Sequence, residues 1–563
     1  MYVIAMSQTD DQNPSFCSSP TAPPAATGPT WIARLFRRIA VTFWILSLLA
    51  SLLWLYTRNN TFPAYFHPDE PGKVAQVLTG ERNYRHPQLL LEATNLWIRI
   101  RPIDTNDRHA VVIAGREVSA LFSAAAATML ALTAYLCAGW WGLILGSICC
   151  GLCPQILSHA HYMKEDAALL VGIALTLLAS RVIWITRRWW SRIPAWILLA
   201  AGCALAISGK YVGAMALVLP LILFFVAPGF RWYRPFLRVL LFVPVCVACV
   251  AVLNHRALNQ GGFDLAQVVQ HPSEQWRTLF DPGFLRGLDY ETEHSITNHW
   301  GLTAHQPNNY ILRTTARETW PWGLLPAALL PLILVVTRKQ GWGWETILIL
   351  FTGICGLALS FSVILFPRYA LPVVAMISLA STIAIARLLV AIKDRRVTQI
   401  TAGACLAAIL FAGLATICAD FTSQFGHDSR TALEQWAVAN LPLNARIYAD
   451  GYTSLDDGSL SSRRPDVRLM AGGILPQNGS LRSMTRNGEC YIAICDLSYG
   501  RLYETSSFPD TGYEDRTKRS KDFYDTLLNK QTPIWESVAQ RPTETFANPA
   551  IRVYRLTADS LAK

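Results

Sequence analysis

The chain has 563 residues, of which 52% are hydrophobic and 15% charged, with 19 Trp and 23 Phe. Soluble domains carry about 25% charged residues, and disordered chains lack this much apolar surface. What remains is a polytopic helical membrane protein. The formal net charge of +11 would suggest nucleic acid in a soluble protein, so its placement along the chain decides what it means.

Residues 1–30 are rich in Ser, Thr and Pro and hold no apolar run behind an early basic cluster. They read as a disordered cytoplasmic tail, not a cleavable signal. Apolar stretches then recur near 39–57, 111–137, 141–158, 166–185, 194–208, 211–227, 236–253, 320–337, 345–366, 369–391 and 398–419, which predicts about eleven spans. Most of the 13 Cys fall inside such runs, where a thiol acts as a small hydrophobe. Basic clusters lie at Arg34, Arg37 and Arg38; Arg187, Arg188 and Arg192; Arg231, Arg234 and Arg238; Arg338 and Lys339; Lys393, Arg395 and Arg396. With eleven spans and a cytoplasmic N-terminus, all of them fall on the cytoplasmic side, as the positive-inside rule requires.

The opposite side then receives outer loops at about 58–110 and 254–318, three short links, and residues 421–563. The predicted domains are a tail (1–30), a transmembrane domain (31–420) and a C-terminal extracytoplasmic domain (421–563). The last opens with a helical pattern ending at Asn440-Leu441-Pro442 and continues with strand-like runs at Ala445–Ala449 and Cys490–Cys495, the marks of a small α/β domain. Five residues apart on one strand, Cys490 and Cys495 face opposite sides, so no disulfide is expected between them. Residues 421–563 hold equal numbers of basic and acidic side chains. The positive excess therefore sits on the inner rim, where it orients the protein and meets anionic lipid, and no nucleic-acid partner is implied.

Four groups of polar residues stand out against this background. Phe66-His67-Pro68-Asp69-Glu70-Pro71 places adjacent carboxylates just beyond the first span. Mutual repulsion would raise the pKa of one of them, which suits a general base. Arg85-His86-Pro87-Gln88 precedes an apolar segment that suits a helix on the membrane surface. His159-Ala160-His161-Tyr162-Met163-Lys164-Glu165-Asp166 sets two acids and a lysine at the mouth of a span, where charge is costly and faces a cavity or a partner. Asp166 also suits the positive N-terminal end of that helix. Lys210 and Arg368 interrupt apolar sequence on the outer side, where the positive-inside rule does not explain them. Both side chains bind phosphate, although snorkelling to the interface would also place them there. Acids and cations on one membrane face suit an enzyme acting on an anionic lipid. The histidines fit no zinc spacing, no nucleotide-binding glycine loop is present, and no cofactor is expected.

In order and topology these motifs resemble the GT-C class of membrane glycosyltransferases, nearest to the group of protein O-mannosyltransferases and aminoarabinose lipid A transferases (families 39 and 83). His67-Pro68-Asp69-Glu70 is similar to the family's Asp-Glu pair. His86-Pro87-Gln88-Leu89-Leu90 is similar to its His-Pro helix, and Asp166 to an Asp opening the fourth span. Gly202 to Lys210-Tyr211 is similar to a glycine-rich span ending in Lys. Arg368-Tyr369-Ala370-Leu371-Pro372 resembles a late Arg-Tyr-x-x-Pro, and Trp436 with Asn440-Leu441-Pro442 the start of the C-terminal domain.

The resemblance implies a GT-C fold, a polyprenyl-phosphate-linked sugar donor, and inverting transfer to an acceptor hydroxyl on protein, lipid or glycan at the periplasmic or lumenal face. A bacterial plasma membrane is the expected location. Asp69 would be the base and Glu70 its positioning partner. Lys210 and Arg368 would hold the donor phosphate, with Asp166 a second acid of the cavity. Lys164-Glu165 departs from the family's usual neutral residues, and Lys164, Glu165, His67 and His86 join the substrate-binding set. The loop from Glu293 to Trp322 would close over the cavity. A transporter or flippase for a polyprenyl-phosphate lipid is the alternative, although no internal repeat of the kind such proteins show stands out. A non-catalytic scaffold would leave Asp69-Glu70 unexplained.

Overall fold

Inside a bilayer no water is available to bond peptide groups, so each apolar stretch must satisfy its backbone internally. The computed structural model does so with helices. It describes residues 31–62, 67–186, 188, 190–227, 233–254, 289, 310–319, 322–337, 343–361, 367–392, 396–455, 459–471, 475–477, 479–504, 511–537 and 547–561. The expected tail and most of the expected closing loop lie outside these residues.

In chain order the first helices are α1 (Trp31–Thr57), α2 (Glu70–Thr79), α3 (Leu89–Ile100), α4 (Arg108–Cys149), α5 (Pro154–Ala160), α6 (Glu165–Ile185), α7 (Ile193–Gly209), α8 (Val218–Val226) and α9 (Arg234–Leu253). Then follow α10 (Tyr310–Thr319), α11 (Leu324–Thr337), α12 (Trp344–Ser360), α13 (Leu371–Ala391) and α14 (Arg396–Gly426). Among the described residues, seven helices are long and apolar enough to cross a membrane, and shorter apolar ones lie at Tyr211–Val226, Leu324–Ile333 and Trp344–Ser360. Exposed Phe236 and Val252 on α9 and Val397 and Ile409 on α14 give these helices lipid-facing surfaces. The protein is an integral membrane protein.

The chain reverses within α4. Its 42 residues would reach about 63 Å as one rod, twice the roughly 30 Å hydrocarbon core. Instead it breaks at Ala138 and at Gly139, whose φ of 65° is a conformation glycine adopts without steric cost. The legs return side by side: a Cβ on Gly146 would lie 2.9 Å from Ala131 Cα. The second leg stops at Cys149, so the stretch expected as one span over 141–158 is not a continuous helix. Pro154, which has no N–H to donate, opens α5 in its place.

A similar break after α7 sets the site. Lys210 is extended (φ −156°, ψ 142°) and a 3₁₀ turn over Tyr211–Leu217 leads into α8. Close packing of α7 on α6 requires small residues. A Cβ on Gly209 would lie 2.5 Å from Leu169 N, so glycine here lets the end of α7 reach the start of α6. At other helix ends, basic residues cap carbonyl oxygens. Arg181 donates to Leu136 O (2.8 Å), Arg192 to Thr186 O (2.7 Å) and Arg238 to Phe224 O (2.6 Å).

The C-terminal region begins at α15 (Ser429–Asn440), which leads into β1 (Arg446–Ala449), α16 (Ser459–Arg463) and β2 (Arg468–Ala471). After these come α17 (Leu481–Thr485), β3 (Cys490–Cys495), α18 (Asp496–Glu504), α19 (Thr511–Lys530), β4 (Trp535–Ser537) and β5 (Ile551–Leu556). The strands form one sheet in the order β2-β1-β3-β5-β4, parallel across β2, β1 and β3 and antiparallel across β3, β5 and β4. Each face is covered. Leu433 and Ala437 of α15 pack on Ile447, Ala493 and Val553, while Tyr524 and Leu527 of α19 pack on Ile492, Ile494 and Tyr554. Central β3 is buried throughout, which accounts for its unbroken apolar run. Cys490 and Cys495 lie in the clusters of opposite faces and both are free thiols.

Candidate active site

The two adjacent carboxylates of the first loop point to different places. Glu70, at the first turn of α2, is fully buried and accepts from Arg116 twice, Nε to Oε1 at 2.9 Å and Nη2 to Oε2 at 2.7 Å. The Met163 N–H adds a third bond at 3.1 Å. Arg116 also donates to the Phe62 carbonyl at 2.8 Å and lies 3.5 Å over the Phe62 ring. This carboxylate is wholly engaged in pinning α2 to α4 and to the link before α6. Asp69, the N-cap of α2, has a side chain 39% exposed and bonds to Lys164 Nζ through Oδ2.

Their divergence changes the electrostatics expected from the sequence. Repulsion within the pair does not raise Asp69. Burial pushes it up, but Lys164, then His67, Arg368 and Lys73, hold it well below the usual carboxylate range. Burial lowers His67 well below its usual value; Asp69 opposes this, and Lys164, Arg368 and Lys73 reinforce it. The imidazole is therefore neutral, and its Nδ1 accepts from the Asp69 N–H at 3.1 Å. Its other nitrogen lies 3.4 Å from Arg368 Nη1, and its ring leans on Tyr162 with centroids 5.4 Å apart.

The start of α6 supplies the next layer. Lys164 is buried and its Nζ lies 3.2 Å from Glu165 Oε2 as well as against Asp69. Glu165 pairs in turn with Lys73, one turn into α2. Asp166 is buried and accepts from Lys210 Nζ at 2.9 Å. Lys210 Nζ sits 3.8 Å above the Tyr369 ring, and Arg368 lies 5.7 Å from the same ring. His86 is also enclosed. Burial drives it well below its usual value, with help from Lys164, Lys73 and Lys210. Its loop is tied down by Tyr211 Oη to Tyr84 O at 2.9 Å and by Gln88 N to Asn254 Oδ1 at 3.2 Å.

Thus Asp69, His67, Lys164, Glu165, Asp166, Lys210 and Arg368, drawn from four separate segments, form one cluster, and Glu70 braces it from outside. Sequence reasoning missed Lys73 and Arg116. Lys73 stands four residues after Asp69, one helical turn along the same face, which is a readable signal. Arg116 lies in an apolar helix whose partner cannot be named without the fold. Among the described residues, Lys73, Lys164, Lys210 and Arg368 face three clustered carboxylates, of which only Asp69 is substantially accessible. No group of three His, Cys, Asp or Glu with metal-binding geometry occurs among them.

This helical architecture, with its small C-terminal sheet, is the GT-C fold of membrane glycosyltransferases. The structural likeness is to ArnT from Cupriavidus metallidurans in the apo state: TM-score 0.50, 14% identity, 92% of this chain and 99% of that one. The same protein bound to undecaprenyl phosphate aligns at TM-score 0.46 and 13% identity over 94% of this chain and 98% of that one. The archaeal oligosaccharyltransferase AglB from Archaeoglobus fulgidus, in complex with an inhibitory peptide and a dolichol-phosphate, aligns at 0.43 and 11% over 85% and 72%. No protein-family model and no curated protein matches the sequence.

Proposed function

We propose that the protein is an integral membrane glycosyltransferase that moves a sugar from a polyprenyl-phosphate carrier to an acceptor hydroxyl, with inversion at the anomeric carbon. The observation that carries this reading is one accessible carboxylate, Asp69, set among cations that leave the cluster with an excess of positive charge. The GT-C fold supports it.

In the proposed reaction Asp69 takes the proton of the acceptor hydroxyl. The acceptor oxygen bonds to the anomeric carbon from the side opposite the phosphate, and the carbon–oxygen bond to phosphate breaks. Its electron pair stays on the phosphate, where Lys210 and Arg368 stabilise the charge that develops. One displacement inverts the centre. Glu70, through Arg116, fixes the position of Asp69. Lys164, Glu165, Asp166, His67 and His86 shape the donor site, and Tyr369 steadies Lys210. Placement of the basic clusters supports a cytoplasmic N-terminus with the site and the C-terminal region on the outer side, and the family resemblance supports a bacterial plasma membrane.

The test is Asp69→Asn in purified protein supplied with a polyprenyl-phosphate-linked sugar. Loss of a general base costs about 10²–10⁴ in rate. Undiminished transfer by this variant would remove the proposed base.

A further inference from the structure

Two ion pairs cross between the starts of α2 and α6. Asp69 meets Lys164, and Lys73, one turn later, meets Glu165. Lys164 is shared, because Glu165 Oε2 also lies 3.2 Å from its Nζ. Of the two carboxylates that hold Lys164, Asp69 is 39% exposed and Glu165 only 4%. Asp69 is thus the one that can be exchanged.

A carboxylate paired with an ammonium is a poor proton acceptor, because the adjacent positive charge favours its ionised form. The arrangement that contains the base also disables it. Lys164 feels the positive charge of Arg368 and Lys210, so an anion bound by those two cations lies in a field that Lys164 shares. The donor's phosphate is a diester with one negative charge and two free oxygens, so it matches the carboxylate it replaces at Lys164, and it gains Lys210 and Arg368 as further donors.

We propose that the phosphate of the carrier lipid takes Lys164 away from Asp69, so that the base is released only when the donor is in place. This rests on the glycosyltransferase reading above. It makes Lys164 a positioning residue for the base as well as a ligand of the phosphate. It also imposes an order, donor before acceptor, and it keeps Asp69 inert at an empty site.

The exchange is tested by titrating a long-chain polyprenyl monophosphate into the full chain in lipid nanodiscs. Asp69→Asn removes the competing carboxylate and is expected to tighten binding roughly tenfold, about one charge-assisted hydrogen bond released. Lys164→Gln is expected to weaken it by a similar factor. In the double variant the benefit of Asp69→Asn disappears, leaving affinity within about twofold of Lys164→Gln alone. Lys164→Arg keeps the charge and is expected to keep the Asp69→Asn gain, which guards against misfolding of the glutamine variant. Equal gains from Asp69→Asn with and without Lys164 would mean simple repulsion of phosphate by Asp69. That result overturns the exchange but leaves the transferase reading standing. A wild-type protein that binds no polyprenyl phosphate would overturn both.

Discussion

The neighbouring acids Asp69 and Glu70 offer the sharpest comparison. Glu70→Ala strips Arg116, whose side chain is fully buried, of the carboxylate that neutralises it. The guanidinium keeps the carbonyls of Asn60 at 3.2 Å and Phe62 at 2.8 Å, which cannot balance its charge. Breaking a buried pair from one side costs about 3–5 kcal/mol, and the Met163 N–H loses its acceptor at about a further 1 kcal/mol. Asp69→Ala opens a pair in which the carboxylate is 39% exposed and the buried Lys164 keeps Glu165 Oε2 at 3.2 Å, so its cost to stability is expected within about 1 kcal/mol. Thermal unfolding in detergent, followed by tryptophan fluorescence, separates the two. The double variant Glu70→Ala/Arg116→Met removes both charges of the pair and is expected to recover much of the loss. If Glu70→Ala melts with Asp69→Ala, or if the double variant is no better than the single, the assignment of Glu70 as a structural brace is wrong.

Two further expectations come from elsewhere in the chain. Gly209→Val brings branched carbons to a place where even the first of them, Cβ, would lie 2.5 Å from Leu169 N. It should cost about 1–3 kcal/mol by overpacking and pull Lys210 from Asp166, weakening polyprenyl-phosphate binding in the same titration; unchanged binding would contradict that placement of Lys210. In the C-terminal region, burial raises Asp450 to about 7 even though Leu475 N, Cys495 N and Tyr524 Oη donate to it. The folded state keeps a proton that the unfolded chain loses near 3.8. This contribution to stability is therefore whole below about pH 4 and is lost as pH rises through about 7. Asp450→Asn cannot ionise and should flatten that part of the pH–melting curve; matching slopes in the two proteins would refute it.

The membrane class and the positions of most apolar helices are legible because hydrocarbon imposes length and composition directly. The reversal at Gly139 is legible as two spans separated by a short link, but the interruption before Pro154 is not. The apolar pattern runs through 141–158 without a charged residue, and only Gly151 and Pro154 mark the interruption. At the site, Lys210 and Arg368 are readable as cations that orientation does not explain. The opposite fates of Asp69 and Glu70 are not. Adjacent residues at a helix start point about 100° apart, and which one meets Arg116 depends on how α2 lies on α4, a contact between residues 46 apart in sequence. Lys73 escapes notice for a related reason: its helical spacing from Asp69 is visible, but its partner Glu165 is 92 residues away.

The most direct measurement is the fate of both products. Purified protein, given a polyprenyl-phosphate-linked sugar and an acceptor, is expected to release one polyprenyl phosphate for each sugar transferred. The new linkage should have the anomeric configuration opposite to the donor's, and both products should vanish in Asp69→Asn. Transfer with retained configuration, or lipid-phosphate release that persists undiminished without Asp69, would contradict the account.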